Sequence, residues 1–263
     1  MGVGACAALL GLLLHPFQVR AVRVLEGYWD RWPVTAGLAG VLEEIQRRKQ
    51  HGLRMKAEAA GPGAVPRRVS ADAMRRMAGA PPEHVLLPTA LGNALRAGEL
   101  SAGERYGLTT LSSWPRVHMQ TSHRLDASLR STRDALDAGV NLCWSFLAAA
   151  LVSVVALADE AKSLWLPAVA FVLSALAYKG AVIAGQAYSG LMHVVYDLHR
   201  FDLLEALHLP LPAREDEHET FQQVSGLFAG YRLPDLPYAH GLRSGPDHSD
   251  GSADPQHVDG EPA

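Results

Sequence analysis

The stretch AGVNLCWSFLAAALVSVVALA, residues 138–158, decides how the rest of the chain is read. It runs 21 residues without a charge and is closed by Asp137 on one side and Asp159 on the other. At about 1.5 Å per residue, a helix of that length spans about 30 Å, the thickness of a bilayer's hydrocarbon core. Nine of its residues are Leu, Val or Phe, worth about −3 to −5 kcal/mol of insertion free energy, and its six alanines are near neutral. Asn141, Ser145 and Ser153 subtract from this without reversing it. A buried helix in a soluble core rarely lacks charge over such a length, so the expectation is a transmembrane helix over 138–158.

After Asp159-Glu160-Ala161-Lys162 a second apolar run begins at Ser163 and stays uncharged to Tyr178, about 24 Å of helix. Lys179 follows, placed so that its stem reaches the headgroups, and Gly180 to Gly185 complete the run. Trp165 and Tyr178 stand near its ends, where interfacial aromatics belong. The fold expected is all-α: an integral membrane helical hairpin with an external turn at 159–162 and a second transmembrane helix over 163–185. Asn141, Ser145, Ala149 and Ser153 recur every four residues on the first helix; Ala170, Ser174, Ala177, Ala181 and Gly185 form a small face on the second. Folding the hairpin at its turn pairs Ser145 with Ala177 and Asn141 with Ala181, and small residues there allow close approach. The same face equally suits a homodimer.

The run Val3–Leu14 has no basic residue before it and no cleavage pattern, which argues against a signal peptide. Arg20, Arg23 and Arg31 follow it. Residues 1–16 are therefore expected to form an N-terminal transmembrane helix, with a shallow interfacial anchor as the alternative. Arg116, Arg124, Arg130 and Arg133 precede the hairpin and Lys179 and Arg200 follow it, against Lys162 alone in the turn. That bias puts both flanks in the cytoplasm and the N-terminus outside.

Composition agrees with apolar residues concentrated in a few segments. Mean hydropathy is +0.03 even though 19% of residues are charged. The net charge of −3 and pI near 6.4 offer no reason to expect nucleic acid as a partner. Cys6 and Cys143 both lie in apolar runs, so they make neither a disulfide framework nor a zinc site. Twenty arginines against four lysines in an Ala-rich chain is the skew of GC-rich codons, pointing to a high-GC bacterium.

The polar portions divide by pattern. Residues 17–60 are expected to be a cytoplasmic amphipathic region, with Leu38, Val41, Leu42, Ile45 and Leu53 on one side of a helix and Glu43, Glu44, Arg47, Arg48, Lys49 and Lys56 on the other. Residues 61–86, rich in proline, glycine and arginine, are expected to be a linker. A cytoplasmic helical region follows over 87–137. It opens with a helix capped by Thr89, and its end, with acid–base pairs at four-residue spacing, runs without a breaker into the membrane helix. Residues 186–232 continue the second helix to about His208, then form a short helix over 214–229. The tail, 233–263, has almost nothing apolar and is expected to be disordered.

Leu87-Pro88-Thr89-Ala90-Leu91-Gly92-Asn93-Ala94-Leu95-Arg96-Ala97, Glu104-Arg105-Tyr106-Gly107, Trp114-Pro115-Arg116 and Asp197-Leu198-His199-Arg200-Phe201 together resemble a block in uncharacterised multi-pass membrane proteins of actinobacteria. The likeness covers residues 86–212. It implies that the block lies between membrane helices and that the N-terminal helix continues upstream in relatives; it implies no activity.

Candidate contact residues for lipid or a partner are Asn93, Arg96, Glu99, Glu104, Arg105, Tyr106 and Arg116, polar groups on a segment expected beside the bilayer. A helical cap held by internal salt bridges accounts for the same residues. His193 and Asp197, with His199 and Asp202 nearby, lack the further ligands that a metal needs. Phosphate-loop, zinc-protease, nucleophile-elbow and dinucleotide glycine signatures are missing from the sequence, and nothing in it orients a serine and a histidine together. No cofactor is expected. The function expected is that of a non-catalytic interaction or scaffold subunit. An oligomeric transporter or channel subunit and a membrane-bound lipid-acting enzyme stand as the alternatives.

Overall fold

The structure, a computed structural model, describes residues 18–29, 33–59, 63–157, 159 and 163–231. The N-terminal helix expected over 1–16, most of the turn at 159–162 and the tail over 233–263 lie outside the described residues. Within them the chain is helical, and no strand occurs among the described residues. The helices are α1 (Gln18–Glu26), α2 (Pro33–Glu58), α3 (Ala64–Ala78), α4 (Ala90–Glu99), α5 (Thr110–His118), α6 (His123–Ala156), α7 (Trp165–Ala206) and α8 (Glu217–Phe228). Short 3-10 turns lie at Glu83–Val85 and Glu104–Tyr106.

α6 and α7 are the frame. Both are long and apolar enough to cross a membrane. Ser122 caps α6 through its hydroxyl, which accepts from the Leu125 N–H, and the helix runs unbroken from its charged first half into the apolar run. Arg130 pairs with Asp126 at 2.9 Å and Arg133 with Asp137 at 3.5 Å on that charged half. The two helices pack along their length through Leu136, Val140, Cys143 and Ala150 of α6 and Ser174, Ala181 and Gly185 of α7. The Ser174 hydroxyl donates to the Cys143 carbonyl at 2.9 Å.

The expected small-residue seam is corrected on the α6 side. Ala181 lies against Gly139, where an added Cβ would sit 3.0 Å from the Ala181 Cβ, not against Asn141. Two residues turn a helix by about 200°, so that offset carries Asn141, Ser145 and Ala149 to the outside, where all three are exposed. Ser153 is half-buried. A four-residue repeat advances about 40° per step and drifts off any one neighbour, whereas the seven-residue spacing of Leu129, Leu136, Cys143 and Ala150 drifts only about 20° per repeat and stays on α7. On α7, Ser174, Ala181 and Gly185 are buried and Ala177 is half-buried.

The smaller helices gather on one end of this frame. Tyr196 of α7 is the centre of the larger core, fully buried among Leu108, Val117, Leu203, Phe221 and Val224. Its hydroxyl lies 2.8 Å from the Ser113 hydroxyl and donates to the Thr110 carbonyl at 3.1 Å. A second core joins Val22 of α1 and Leu91 and Leu95 of α4 to Leu136, Val140 and Ala181. α1 ends because Gly27 takes φ +94°, a left-handed conformation that favours glycine.

α3 corrects the linker expected at 61–86. Pro66 falls in the first turn of α3, where the missing N–H had no helical partner, and Gly79, Pro81 and Pro82 lie beyond its end. The breakers bracket the helix and do not interrupt it. α3 packs on α2 through Ala57, Ser70 and Ala73, with the Ser70 hydroxyl donating to the Ala57 carbonyl at 2.5 Å. On α2, Leu38, Val41 and Ile45 of the expected apolar side are exposed.

α4 crosses α7 with almost nothing between the backbones. A Cβ at Gly98 would stand 2.8 Å from the Ser189 Cα. The Ser189 hydroxyl donates to the Ala94 carbonyl at 2.5 Å. Gly98→Ala therefore forces the helices apart, and the expected cost, about 1–3 kcal/mol, exceeds the helix propensity gained. In detergent the unfolding midpoint should fall by several degrees, about 2–4 °C per kcal/mol. Gly40→Ala, where nothing lies within 4 Å, should leave it unchanged or raise it. Equal midpoints for the wild type and Gly98→Ala would refute the close crossing.

Candidate functional site

Most polar side chains in residues 87–116 act locally: they close backbone ends that the short helices leave open. Thr89 caps α4, accepting from the Gly92 N–H at 3.1 Å and donating to the Glu26 carbonyl at 2.7 Å. The Tyr178 hydroxyl accepts from the Leu91 N–H at 3.2 Å, so a residue read as an interfacial aromatic also serves α4. Asn93 forms a reciprocal pair with the Leu87 backbone, donating to its carbonyl at 2.8 Å and accepting from its N–H at 2.7 Å. Arg96 donates to the Val85 carbonyl at 2.6 Å and lies over the Tyr28 ring. Glu104 accepts from the Thr110 N–H at 3.0 Å and the Thr110 hydroxyl at 2.6 Å, holding the first turn of α5. That cap starts a helix across Pro115, a residue that hides α5 from a sequence reading.

Arg105 and Tyr106 reach α7. Arg105 forms an ion pair with Asp197 and donates to the His193 carbonyl at 3.1 Å; the Tyr106 hydroxyl donates to Asp197 at 2.5 Å. Arg200 stacks on the Tyr106 ring and pairs with Glu217 at 2.8 Å, which ties α8 to the group. Arg116 donates to the Ser112 carbonyl and lies 4.1 Å from the centre of the Phe228 ring. Of the seven candidates, then, Asn93, Arg96, Glu104, Arg105, Tyr106 and Arg116 are engaged internally. Asn93 and Arg105 also line a cavity, and Glu99 lines another.

The larger cavity, about 680 Å³, opens between the α2–α3 pair, α4 and α7. Its walls include Leu53, Leu86, Ala94 and Val182, and its charged groups are Lys49, Arg75, Arg76 and Arg105. The smaller, about 400 Å³, lies between α1, α4 and α6 and holds Glu26, Glu99, Arg23 and Arg133. Burial pushes the Glu99 carboxyl above its ordinary range against the pull of Arg96 and Arg133. Burial, and then the charge of Glu99, raise Glu26 in the same way.

One pairing runs against the sequence reading. The Ser101 hydroxyl lies 3.1 Å from His193 Nε2, across α4 and α7. His193 Nδ1 is 2.8 Å from the Ser189 carbonyl, which only accepts, so neutral His193 carries its proton on Nδ1 and offers Nε2 to the hydroxyl. The same hydroxyl also bonds the Ala97 carbonyl. Its single proton is shared, and the pair ties the end of α4 to α7. Spacing of 92 residues left no sequence signal for it. His199 Nδ1 lies 2.6 Å from Asp202 as a separate pair. Among the described residues no three His, Cys, Asp or Glu side chains converge as metal ligands.

No protein-family model, curated protein or solved structure matches this chain.

The raised carboxyls set a pH dependence with a definite sign. A carboxyl whose folded value lies above 4.5 favours the fold while protonated and loses that contribution as pH rises through its raised value. Stability from Glu99 and Glu26 thus declines from mildly acidic toward neutral pH. Glu99→Gln should flatten that decline and raise the unfolding midpoint near neutrality, measured in detergent from about pH 4 to about pH 8. An unchanged pH slope would show that the Glu99 carboxyl is not desolvated.

Proposed function

We propose that this protein is a membrane-anchored interaction subunit: α6 and α7 form a transmembrane hairpin, and the helices gathered at its polar end are a cytoplasmic module that holds a partner. The observation that carries the reading is exposure. In the apolar windows of both long helices only 17% of residues are buried, whereas the core helix of a soluble protein is mostly buried. Leu151, Val152 and Val155 on α6 and Phe171, Val172, Leu176 and Ile183 on α7 are each more than half exposed. Apolar surface of that extent, with Lys179 the charge along it, is stable in lipid and not in water. The arginine bias and the resemblance over 86–212 support multi-pass placement with the polar end inside.

The interaction role is supported by a second exposed set. Leu38, Val41 and Ile45 of α2 and Val65, Val69 and Met74 of α3 are uncovered among the described residues, on helices held to the segment between α3 and α4 through Gln46, Gln50 and Arg54. Apolar groups on a loosely attached helical pair suit a protein partner. Catalysis has no part in the proposal, since the polar groups of residues 87–116 are engaged in holding helix ends.

A second reading, an oligomeric transporter or channel subunit, is favoured by one observation: Asn141, Ser145 and Ala149 face outward on α6, open to a second copy. Cross-linking in membranes should yield a dimer that Ser145→Leu abolishes if that stripe is the contact.

The anchor is tested by topology. The protein should remain in the pellet after an alkaline wash of membranes. In a background with both native cysteines replaced, Asp159→Cys should react with an impermeant maleimide on intact cells, and Tyr231→Cys only after lysis. The reverse pattern overturns the orientation. Recovery in the supernatant without detergent overturns the membrane reading.

A further inference from the structure

We propose that the 680 Å³ cavity between α2, α3, α4 and α7 is a binding site for one anionic phospholipid, its acidic head against Lys49 and Arg75 and its chain along α4 and α7. The inference rests on the membrane placement proposed above. Its volume is that of a small-molecule site.

Charge selects the head. The lining carries four cations and no aspartate or glutamate. Two are already answered: Arg76 by Asp72 at 2.9 Å and Arg105 by Asp197. Lys49 and Arg75 have no carboxylate within 4.0 Å among the described residues, and Arg75 bonds only the Ala71 carbonyl of its own helix. Two uncompensated cations at one opening attract an anion and favour acidic lipid. Gln50, also in the lining, donates to the Pro81 carbonyl at 2.9 Å while its Oε1 is buried without a partner.

Apolar walls select an amphiphile over a free anion. Leu53, Leu86, Ala90, Ala94 and Val182 contribute no polar side-chain atom to the lining. The α7 wall runs from Val182, inside the apolar run, to His193, beyond it, about 16 Å along the helix. A site that crosses the boundary between the apolar and polar parts of one helix matches a molecule built the same way. Gly190 leaves this wall open, with nothing within 4 Å of where its Cβ would stand.

The test uses the full chain purified in neutral detergent and titrated with phosphatidylglycerol, phosphatidylcholine or free glycerol phosphate. Native mass spectrometry counts the bound lipid, and the unfolding midpoint reports its affinity. One phosphatidylglycerol should bind, about tenfold more tightly than phosphatidylcholine, and glycerol phosphate should not bind. The double variant Lys49→Ser with Arg75→Gln should bind both lipids equally. Gly190→Leu, which puts a side chain on the α7 wall where a Cβ meets nothing within 4 Å, should lose the bound lipid while keeping its lipid-free midpoint. An undiminished preference in the double variant, lipid retained by Gly190→Leu, or tight binding of glycerol phosphate alone would each overturn the site. A protein that pellets with membranes yet shows no preference refutes only this inference; one found in the supernatant refutes the anchor on which it stands.

Discussion

The contact between α4 and α7 at Gly98 and Ser189 governs how everything outside the hairpin is arranged. With no side chain between the backbones, α4 lies directly on α7, and hydrogen bonds from the Ser189 hydroxyl to α4 become reachable. Once α4 is there, its first turn meets Tyr178 and the end of α1, and its last turn meets His193. Small residues at a helix crossing exchange dispersion contacts between side chains for close backbone approach. That exchange is useful where apolar burial alone gives little discrimination between alternative packings. Here it sets the depth at which the polar helices sit against the frame.

From that contact follow both cavities. The α2–α3 pair hangs on the segment between α3 and α4 through Gln46, Gln50 and Arg54, so it stands off α7 and leaves an open space with a basic rim. On the other side, α1 is drawn against α4 closely enough that a Cβ at Gly92 would collide with the Glu26 carbonyl. That approach places Glu26 near Glu99 and desolvates both, with Arg133 of α6 between the two helices and the frame. The same crossing thus separates a cationic opening from a carboxylate-bearing one, on opposite faces of one short helix.

The polar residues that drew notice in the sequence are mostly fasteners. Asn93, Arg96 and Glu104 each satisfy backbone groups at the ends of short helices, and short helices have a large share of such groups. Arg105, Tyr106, Asp197, Arg200 and Glu217 form one connected set that joins α7, α8 and the 3-10 turn at Glu104–Tyr106. Networks of this kind specify a unique arrangement more than they add stability, because each member is partly exposed to water. What remains unengaged is less conspicuous: Lys49 and Arg75, two ordinary surface cations until the fold sets them on one opening.

Local patterns determined the elements. Charge-free length marked the apolar part of α6 and α7, Thr89 marked the start of α4, and the four-residue acid–base pairs marked a helix continuous with the apolar run, since each of these acts within a turn or two of chain. Tertiary structure alone decided which faces meet. The choice between a four-residue stripe and a seven-residue seam depends on the crossing of two helices, so Asn141 and Ser145 point outward although their composition suited the inside. Prolines misled in one direction. Pro66 and Pro115 look like breakers in sequence, but their effect depends on position within a turn and on caps supplied from elsewhere, such as Glu104. The pairing of Ser101 with His193 and the gathering of cations around one cavity join residues far apart along the chain, where no spacing rule operates.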